Sequence, residues 1–244
     1  MAPTPEFVFI FGPREIERTQ AENAVLRAQM SEQKYKTHDG WTSALLSVGT
    51  GRGFLVKSHR GNPLVVTAAN CLPFLPPPEI TFEPDERNYP ALVGYPGHER
   101  RVSAWSHFID LIANVAVLGR PCGDEYLVDL YGFDQLTNGV TPMTIGDPPE
   151  KSDLAWIPSI DGRWFRWIVY EMGHQLYVYE HVDDIVKEIA GFPIVADDGS
   201  VIGVVSNTRH PADEDWVGMQ PRLTEVLPRW LLRSNVVPAS PSMT

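Results

Sequence analysis

The chain has little of what secreted, membrane-bound or nucleic-acid-binding proteins require. Two cysteines in 244 residues allow at most one disulfide, which favours a reducing compartment. Lys and Arg number 20 against 31 Asp and Glu, a net charge of −11, so no excess of positive charge is available for a nucleic-acid backbone or an anionic membrane. No apolar run reaches membrane-spanning length, and Phe7–Phe11 lacks the basic flank of a secretory signal. We therefore expect a cytoplasmic protein without a nucleic-acid or membrane partner.

Proline and glycine are abundant instead, with 22 and 19 copies scattered along the chain. Short β-branched and aromatic runs lie between them, which is typical of short strands joined by tight turns. The strand candidates form two series of about six, the first within residues 41–118 and the second within residues 126–221. Residues 119–125 are predicted to connect the two series. The pattern indicates an all-β domain over residues 41–234, although periodicity alone does not separate a double barrel from a sandwich.

Helices are predicted only before and after the two strand series. Residues 1–40 form an N-terminal extension in which a helix runs from Pro13 to about Lys36, with an apolar stripe that either packs on the body or docks another protein. A short helix is predicted over Leu223–Ser234, its regular part beginning near Pro228 because proline fits only a first helical turn. Residues 235–244 are predicted to be a disordered tail.

A hairpin near residue 190 organises the second series. The runs Pro193–Ala196 and Val201–Ser206 flank the turn residues Asp197-Asp198-Gly199, which is a typical hairpin pattern. The sequence Ala190-Gly191-Phe192-Pro193 makes a tight turn just before the first of these strands.

Four segments, in this order, resemble the motifs of trypsin-like serine proteases, especially the bacterial and HtrA-like branches. They are Gly51–Val56, Val65–Leu72, Asp110–Leu118 and the loop at Ala190. The resemblance covers about Thr42 to Leu232 and implies two six-stranded antiparallel β-barrels, with a bacterial cytoplasm as the setting.

The resemblance also implies where the catalytic groups of such a protease would stand. Asn70 occupies the position of the general base, Asn114 that of the carboxylate orienting it, and Ala190 that of the serine nucleophile. Glu188 stands where the family keeps a glycine that helps to form the oxyanion hole. An amide is not a useful base and a methyl group is not a nucleophile. We therefore predict no enzyme activity, that is, a pseudoprotease.

A binding function does not need the catalytic groups. In the resembled family, a substrate peptide adds a strand beside the segment that here is Ser206, Asn207 and Thr208, and Asp184 falls in the loop lining the side-chain pocket. Phe192 is predicted to join these residues in contacting a polypeptide. The seven histidines show no metal-ligand spacing, and we predict neither a metal nor a cofactor.

The favoured interpretation is an inactive trypsin-like domain that binds a partner protein or peptide through the former cleft, the N-terminal helix, or both. One alternative is a hydrolase with a rearranged site, using Cys71 or the loop containing His181, Asp183 and Asp184. Another alternative is a structural subunit of a larger assembly.

Overall fold

A computed structural model describes residues 24–25, 35–36, 39–75, 87–122, 127–147, 153–172, 175–179, 190–206 and 220–232. Its strands are β1 Tyr35–Lys36, β2 Leu45–Val48, β3 Gly51–Lys57, β4 Pro63–Ala68, β5 Asn88–Gly94, β6 Arg101–Asp110, β7 Val115–Gly119, β8 Asp153–Pro158, β9 Trp164–Met172, β10 Gln175–Tyr179, β11 Pro193–Ala196, β12 Val201–Val204 and β13 Gln220–Pro221. Besides the helical residues Ala24 and Val25, the helices are Asp39–Thr42, Leu127–Thr137, Leu223–Val226 and Arg229–Leu232, with a 3₁₀ turn at Ala69–Cys71.

The first strand series forms a closed six-stranded barrel, as predicted. Its order is β2-β3-β4-β7-β6-β5, and all of its neighbours pair antiparallel. The seam between β2 and β5 has two residue pairs, Ser47 with Gly94 and Val48 with Val93. Closure leaves no long edge for pairing with other chains.

The central strands of this barrel are apolar on both faces. Along β3, Leu55 belongs to the cluster inside the barrel, whereas Phe54 and Val56 belong to a cluster shared with the second sheet. In β4, Val65 belongs to the cluster inside the barrel and Val66 to the shared cluster. Because side chains alternate along a strand, burial of both faces requires continuous apolar runs. This explains why the sequence shows such runs here.

The second series forms a seven-stranded sheet in the order β12-β11-β8-β9-β10-β13, with β1 added beside β9. The hairpin predicted around residue 198 is confirmed, since β11 pairs antiparallel with β12. An isolated antiparallel bridge joins Gly203 of β12 to Arg222, directly after β13. This bridge links the two ends of the strand order, and the second closed barrel stays a prediction.

Part of the predicted N-terminal helix falls on described residues. Ala24 and Val25 are helical and exposed, in agreement with the prediction, but its C-terminal end is wrong. Tyr35 and Lys36 form strand β1, in register with Phe165 and Trp164 of β9. Backbone pairing with an available strand edge therefore prevails over continuation of the helix. The rest of that helix and the tail 235–244 lie outside the described residues.

A helix that was not predicted occupies Leu127–Thr137, at the start of the expected second series. It packs on the first barrel, where Phe133 and Leu136 join the interior cluster and the Tyr95 hydroxyl donates to the Leu136 carbonyl at 2.6 Å. The prediction that residues from 126 onward belong to the second β series is therefore wrong for this segment.

The terminal helix is divided in two. The first turn, Leu223–Val226, ends at Leu227, which has extended backbone angles of φ −71° and ψ 140°. The second turn begins at Arg229, after Pro228. Proline disfavours helical angles in the residue before it, so the break follows from the sequence. The single helix Leu223–Ser234 is thus corrected to two turns within the described residues.

Helices in the described ranges are too short or too polar to cross a lipid bilayer.

Candidate functional site

The first part of the candidate site is the 3₁₀ turn at the end of β4. Asn70 is exposed at its centre, and its backbone N–H donates to Oδ1 of Asn114 at 2.9 Å. The neighbouring Ala69 N–H donates to the Asn114 backbone carbonyl at 3.1 Å. The predicted base position and the predicted orienting position therefore lie side by side.

Asn114 holds a left-handed backbone with φ +53° at the turn before β7. Asparagine tolerates this conformation better than most residues that carry a Cβ. Its side-chain amide is used at both ends, because Oδ1 accepts from Asn70 while Nδ2 donates to the backbone carbonyl of Ser206. A carboxylate could make the first of these bonds but could not donate the second. The geometry at this position therefore fits an amide.

Ala190 lies against the same corner of the molecule. Its carbonyl accepts from the Arg52 N–H at 3.0 Å and lies 3.5 Å from Cys71 Sγ. A Cβ placed on Gly51 would meet Cys71 Sγ at 2.3 Å and the Ala190 carbonyl oxygen at 2.8 Å. The loop thus approaches β3 so closely that glycine is needed at position 51. Residue 190 itself contributes only a methyl group.

Cys71 is the thiol nearest to these residues and is a free, buried cysteine, 1% exposed. Burial raises the pKa of its thiol, and hydrogen bonds with Thr67 and the backbone oppose this increase only in part. Because the thiolate is the reactive form, a raised pKa and burial both disfavour nucleophilic chemistry at Cys71. The second cysteine, Cys122, is free and exposed.

We expect iodoacetamide at neutral pH to modify Cys122 readily and to leave Cys71 unmodified while the protein is folded. Peptide mass analysis before and after unfolding measures both sites. In a Cys122→Ser variant, native labelling should disappear and should return in denaturant. Rapid labelling of Cys71 in that folded variant would instead favour the rearranged hydrolase.

Ser206 is placed beside Asn114, but it is 1% exposed and its carbonyl accepts the Asn114 amide. The outer edge of β12 is also occupied, because Val201 exchanges backbone bonds with Thr144 and Gly146 at 2.7 and 3.0 Å. A bound peptide therefore cannot pair along Val201, and pairing at Ser206 would compete with Asn114. Strand addition through Ser206 is thereby weakened as a prediction.

Among the other predicted contact residues, the structure describes only Phe192, and the prediction for it is wrong. Phe192 is 2% exposed in the shared core, within the stretch Gly191–Val195 that is buried throughout, so it is a core residue and not a surface contact. The predicted residues outside the described ranges are Glu188, Asp184, Asn207 and Thr208, together with His181 and Asp183 of the alternative site.

The turn before Asn114 carries a surface feature that was not predicted. Asp110 Oδ1 accepts the N–H groups of Ile112 and Ala113, both at 2.9 Å. Leu111 and Ile112 project from this turn with 56% and 98% of their surface exposed. An Asp that accepts from residues two and three positions later is a typical turn signal. The sequence could therefore have indicated a rigid turn, although not its exposure.

Across the part of the chain that the structure describes, no three His, Cys, Asp or Glu side chains come together as metal ligands would.

Comparisons with known proteins find structural similarity at low sequence identity. No family model matches the chain, and no curated protein sequence matches it. The serine protease of a human pathogenic astrovirus aligns with 80% of this chain and 100% of its own, at 14% identity and a TM-score of 0.48. The MamO protease domain of Magnetospirillum magneticum aligns with 77% of this chain and 96% of its own, at 14% identity and a TM-score of 0.45. The serine endoprotease of Yersinia pestis aligns with 75% of this chain and 60% of its own, at 16% identity and a TM-score of 0.47.

Proposed function

We propose that this chain is a catalytically inactive, trypsin-like domain that binds a partner polypeptide. The observation that carries the proposal is the use of the Asn114 amide, which joins the Asn70 N–H to the Ser206 carbonyl. Both polar ends of this side chain are engaged in holding the backbone. Peptide hydrolysis by the resembled mechanism needs a basic imidazole oriented by a carboxylate and a nucleophilic hydroxyl. Asn70, Asn114 and Ala190 supply none of these groups.

A rearranged hydrolase has less support from the same geometry. Cys71 is buried, its thiol pKa is raised, and its sulfur faces the Ala190 carbonyl. A nucleophile must reach a substrate carbonyl, and burial beside a backbone oxygen does not permit that approach. The proposed inactivity therefore extends to this thiol.

The binding part of the proposal rests on the turn next to Asn114. Two neighbouring large apolar side chains, Leu111 and Ile112, are exposed on a turn that Asp110 stabilises. Apolar side chains presented on a rigid support bind with little loss of conformational entropy. We propose that they contact an apolar segment of the partner polypeptide, in place of strand addition at Ser206.

Activity measurements test the first half of the proposal. We expect a fluorophosphonate probe to leave the protein unlabelled and a peptide library to remain intact after prolonged incubation. An active trypsin-like protease serves as the positive control. Labelling or cleavage that copurifies with the folded protein would overturn the proposed inactivity.

Peptide-array binding tests the second half. The variant Ile112→Asp should lower the retention of apolar peptides by about tenfold, since a charge replaces a fully exposed contact side chain. Val128→Asp is the matched control, because Val128 is also highly exposed, at 85%, but lies on the helix Leu127–Thr137. Equal losses in both variants, or none in either, would contradict binding through the turn and favour a structural subunit.

A further inference from the structure

A cavity that is separate from the residues of the candidate site lies where the β3–β4 turn meets the helix Arg229–Leu232. Its volume is about 420 Å³, within the range of small-molecule sites. The charged, histidine and tryptophan residues in its wall are His59, Arg60, His107, Arg120, Asp134 and Trp230.

The first wall of the cavity is fixed by His59. Its backbone N–H donates to the Leu231 carbonyl at 3.2 Å, and its ring Nδ1 bonds the Trp230 carbonyl. A carbonyl oxygen can only accept, so Nδ1 carries the proton and Nε2 is the nitrogen left to interact with a ligand. These two bonds also hold the backbone of Trp230 and Leu231 against the β3–β4 turn.

Another part of the wall is formed by His107, which is placed by two features of the barrel. The pairing of β6 with β7 shifts register between Ser106 and Phe108, so His107 is the extra residue of a β-bulge. Bulges redirect side chains and are common next to functional sites. The ring lies over Gly119, where an added Cβ would meet Nε2 at 2.4 Å. The absence of a side chain at Gly119 gives the imidazole its place.

The charge of the cavity is opposite in sign to that of the protein. Its lining contains two arginines and one aspartate, a net positive charge, whereas the whole chain has a net charge of −11. Arg120 Nη2 lies 3.2 Å from Asp134 Oδ2, and a guanidinium has further N–H groups for a ligand. Arg60 is exposed at the rim. A cavity lined with cationic groups in an acidic protein attracts anions.

The remaining surface is suited to a flat ring. Trp230 is 41% exposed, and its ring centroid lies 6.1 Å from that of His107. Pro63 and Leu64 add apolar lining. We infer that this cavity binds a small organic anion, with an aromatic ring beside Trp230 and a carboxylate or phosphate group beside Arg60 and Arg120.

Phenyl phosphate is the probe, because it carries both features in one small molecule. Calorimetric titration should give saturable binding to the full chain, and inorganic phosphate should bind at least about tenfold more weakly because it lacks the ring. Arg60→Gln should weaken phenyl phosphate binding by about tenfold, the typical effect of losing one charged hydrogen-bonding partner. Arg100→Gln, in the exposed β5–β6 turn, should change it by less than about twofold.

A second variant and a second readout keep the test independent of Arg60. Gly119→Ala should weaken binding, because the new Cβ displaces the His107 ring; thermal unfolding verifies that the variant is folded. Partial desolvation by the surrounding protein, and secondarily the charge of Arg87, lower the pKa of His107. The negative charge of a bound phosphate opposes both effects and should raise the pKa measured by NMR titration. The other charged or titratable groups around the ring are His59, Arg60, Arg120 and Asp134.

Three binding results would overturn the inference. They are the absence of binding at about 10 mM phenyl phosphate, equal affinity for phenyl and inorganic phosphate, and equal losses in the Arg60 and Arg100 variants. A His107 pKa that does not change on saturation would place the bound molecule elsewhere and would also contradict it.

Discussion

Gly191→Ala is expected to lower the free energy of unfolding by about 4 kcal/mol or more, which is an exceptional loss for a single methyl group. Gly191 has φ +86°, and a Cβ there would lie 1.8 Å from the Arg52 carbonyl oxygen. That oxygen also accepts the Thr67 hydroxyl at 2.5 Å, and the Gly191 N–H donates to the Val205 carbonyl at 2.7 Å. The Arg52 N–H in turn donates to the Ala190 carbonyl at 3.0 Å, so strand β3 and the loop cannot separate without breaking this bond.

Gly61→Ala is the matched control for this prediction. Gly61 has a similar φ of +82°, but no atom lies within 4 Å of an added Cβ. Its substitution should cost only the left-handed backbone strain, about 1–2 kcal/mol. Chemical denaturation gives the free energy of unfolding of both variants and so separates the backbone strain from the steric clash. Equal losses of stability in the two variants would show that the loop does not approach β3 so closely.

Asn114→Asp is expected to destabilise the protein by about 2–3 kcal/mol at neutral pH. The two side chains have nearly the same shape, and both tolerate the left-handed backbone. The substitution keeps an acceptor for the Asn70 N–H, but it turns a carboxylate oxygen toward the Ser206 carbonyl, where the amide donated. Replacing the asparagine by the residue that the resembled family has there should therefore damage this site.

The pH dependence of that variant follows from the same contact. Repulsion from the Ser206 carbonyl raises the pKa of the new carboxyl in the folded state above the unfolded value of about 3.9. The destabilisation is then complete above the folded pKa and disappears as the pH falls toward the unfolded pKa, because the protonated carboxyl can donate to the carbonyl. Urea denaturation from pH 7 to pH 4 measures the difference from the unsubstituted protein.

An exposed asparagine provides the control for the added charge. Asn62 lies exposed in the β3–β4 turn, so Asn62→Asp should change stability by less than about 0.5 kcal/mol. If Asn114→Asp were equally harmless, the hydrogen bond to Ser206 would not stabilise the fold, and the amide at position 114 would lose its structural explanation.

The first barrel was predictable because its strands carry their own signal. Runs such as Val65-Val66-Thr67-Ala68 are β-branched and apolar on both faces, and glycine-containing turns separate them. The helix Leu127–Thr137 was not predictable by the same logic. Its apolar residues are spread around the helix, with Val128 85% and Tyr131 67% exposed while Phe133 is buried. No amphipathic stripe therefore indicated a helix.

The position of the candidate site stays a prediction, and its detailed contacts were not predicted. Short motifs suffice to suggest that Asn70, Asn114 and Ala190 belong together, and the contacts described above join the turns that carry them. The bond from Asn114 to Ser206 joins residues 92 positions apart, and local patterns carry no information about such a contact. The exposure of Ile112 similarly depends on what the rest of the fold leaves uncovered.

The attachment of the β3–β4 turn to the helix Arg229–Leu232 has a consequence for the order of folding during synthesis. Strands β2 to β7 are contiguous in sequence, so the barrel can close while later residues are still being translated. The His59–Trp230 contact spans 171 residues and can form only after the second sheet has emerged. The anion cavity therefore does not exist in a nascent chain, and ligand binding there would select molecules in which both halves have assembled.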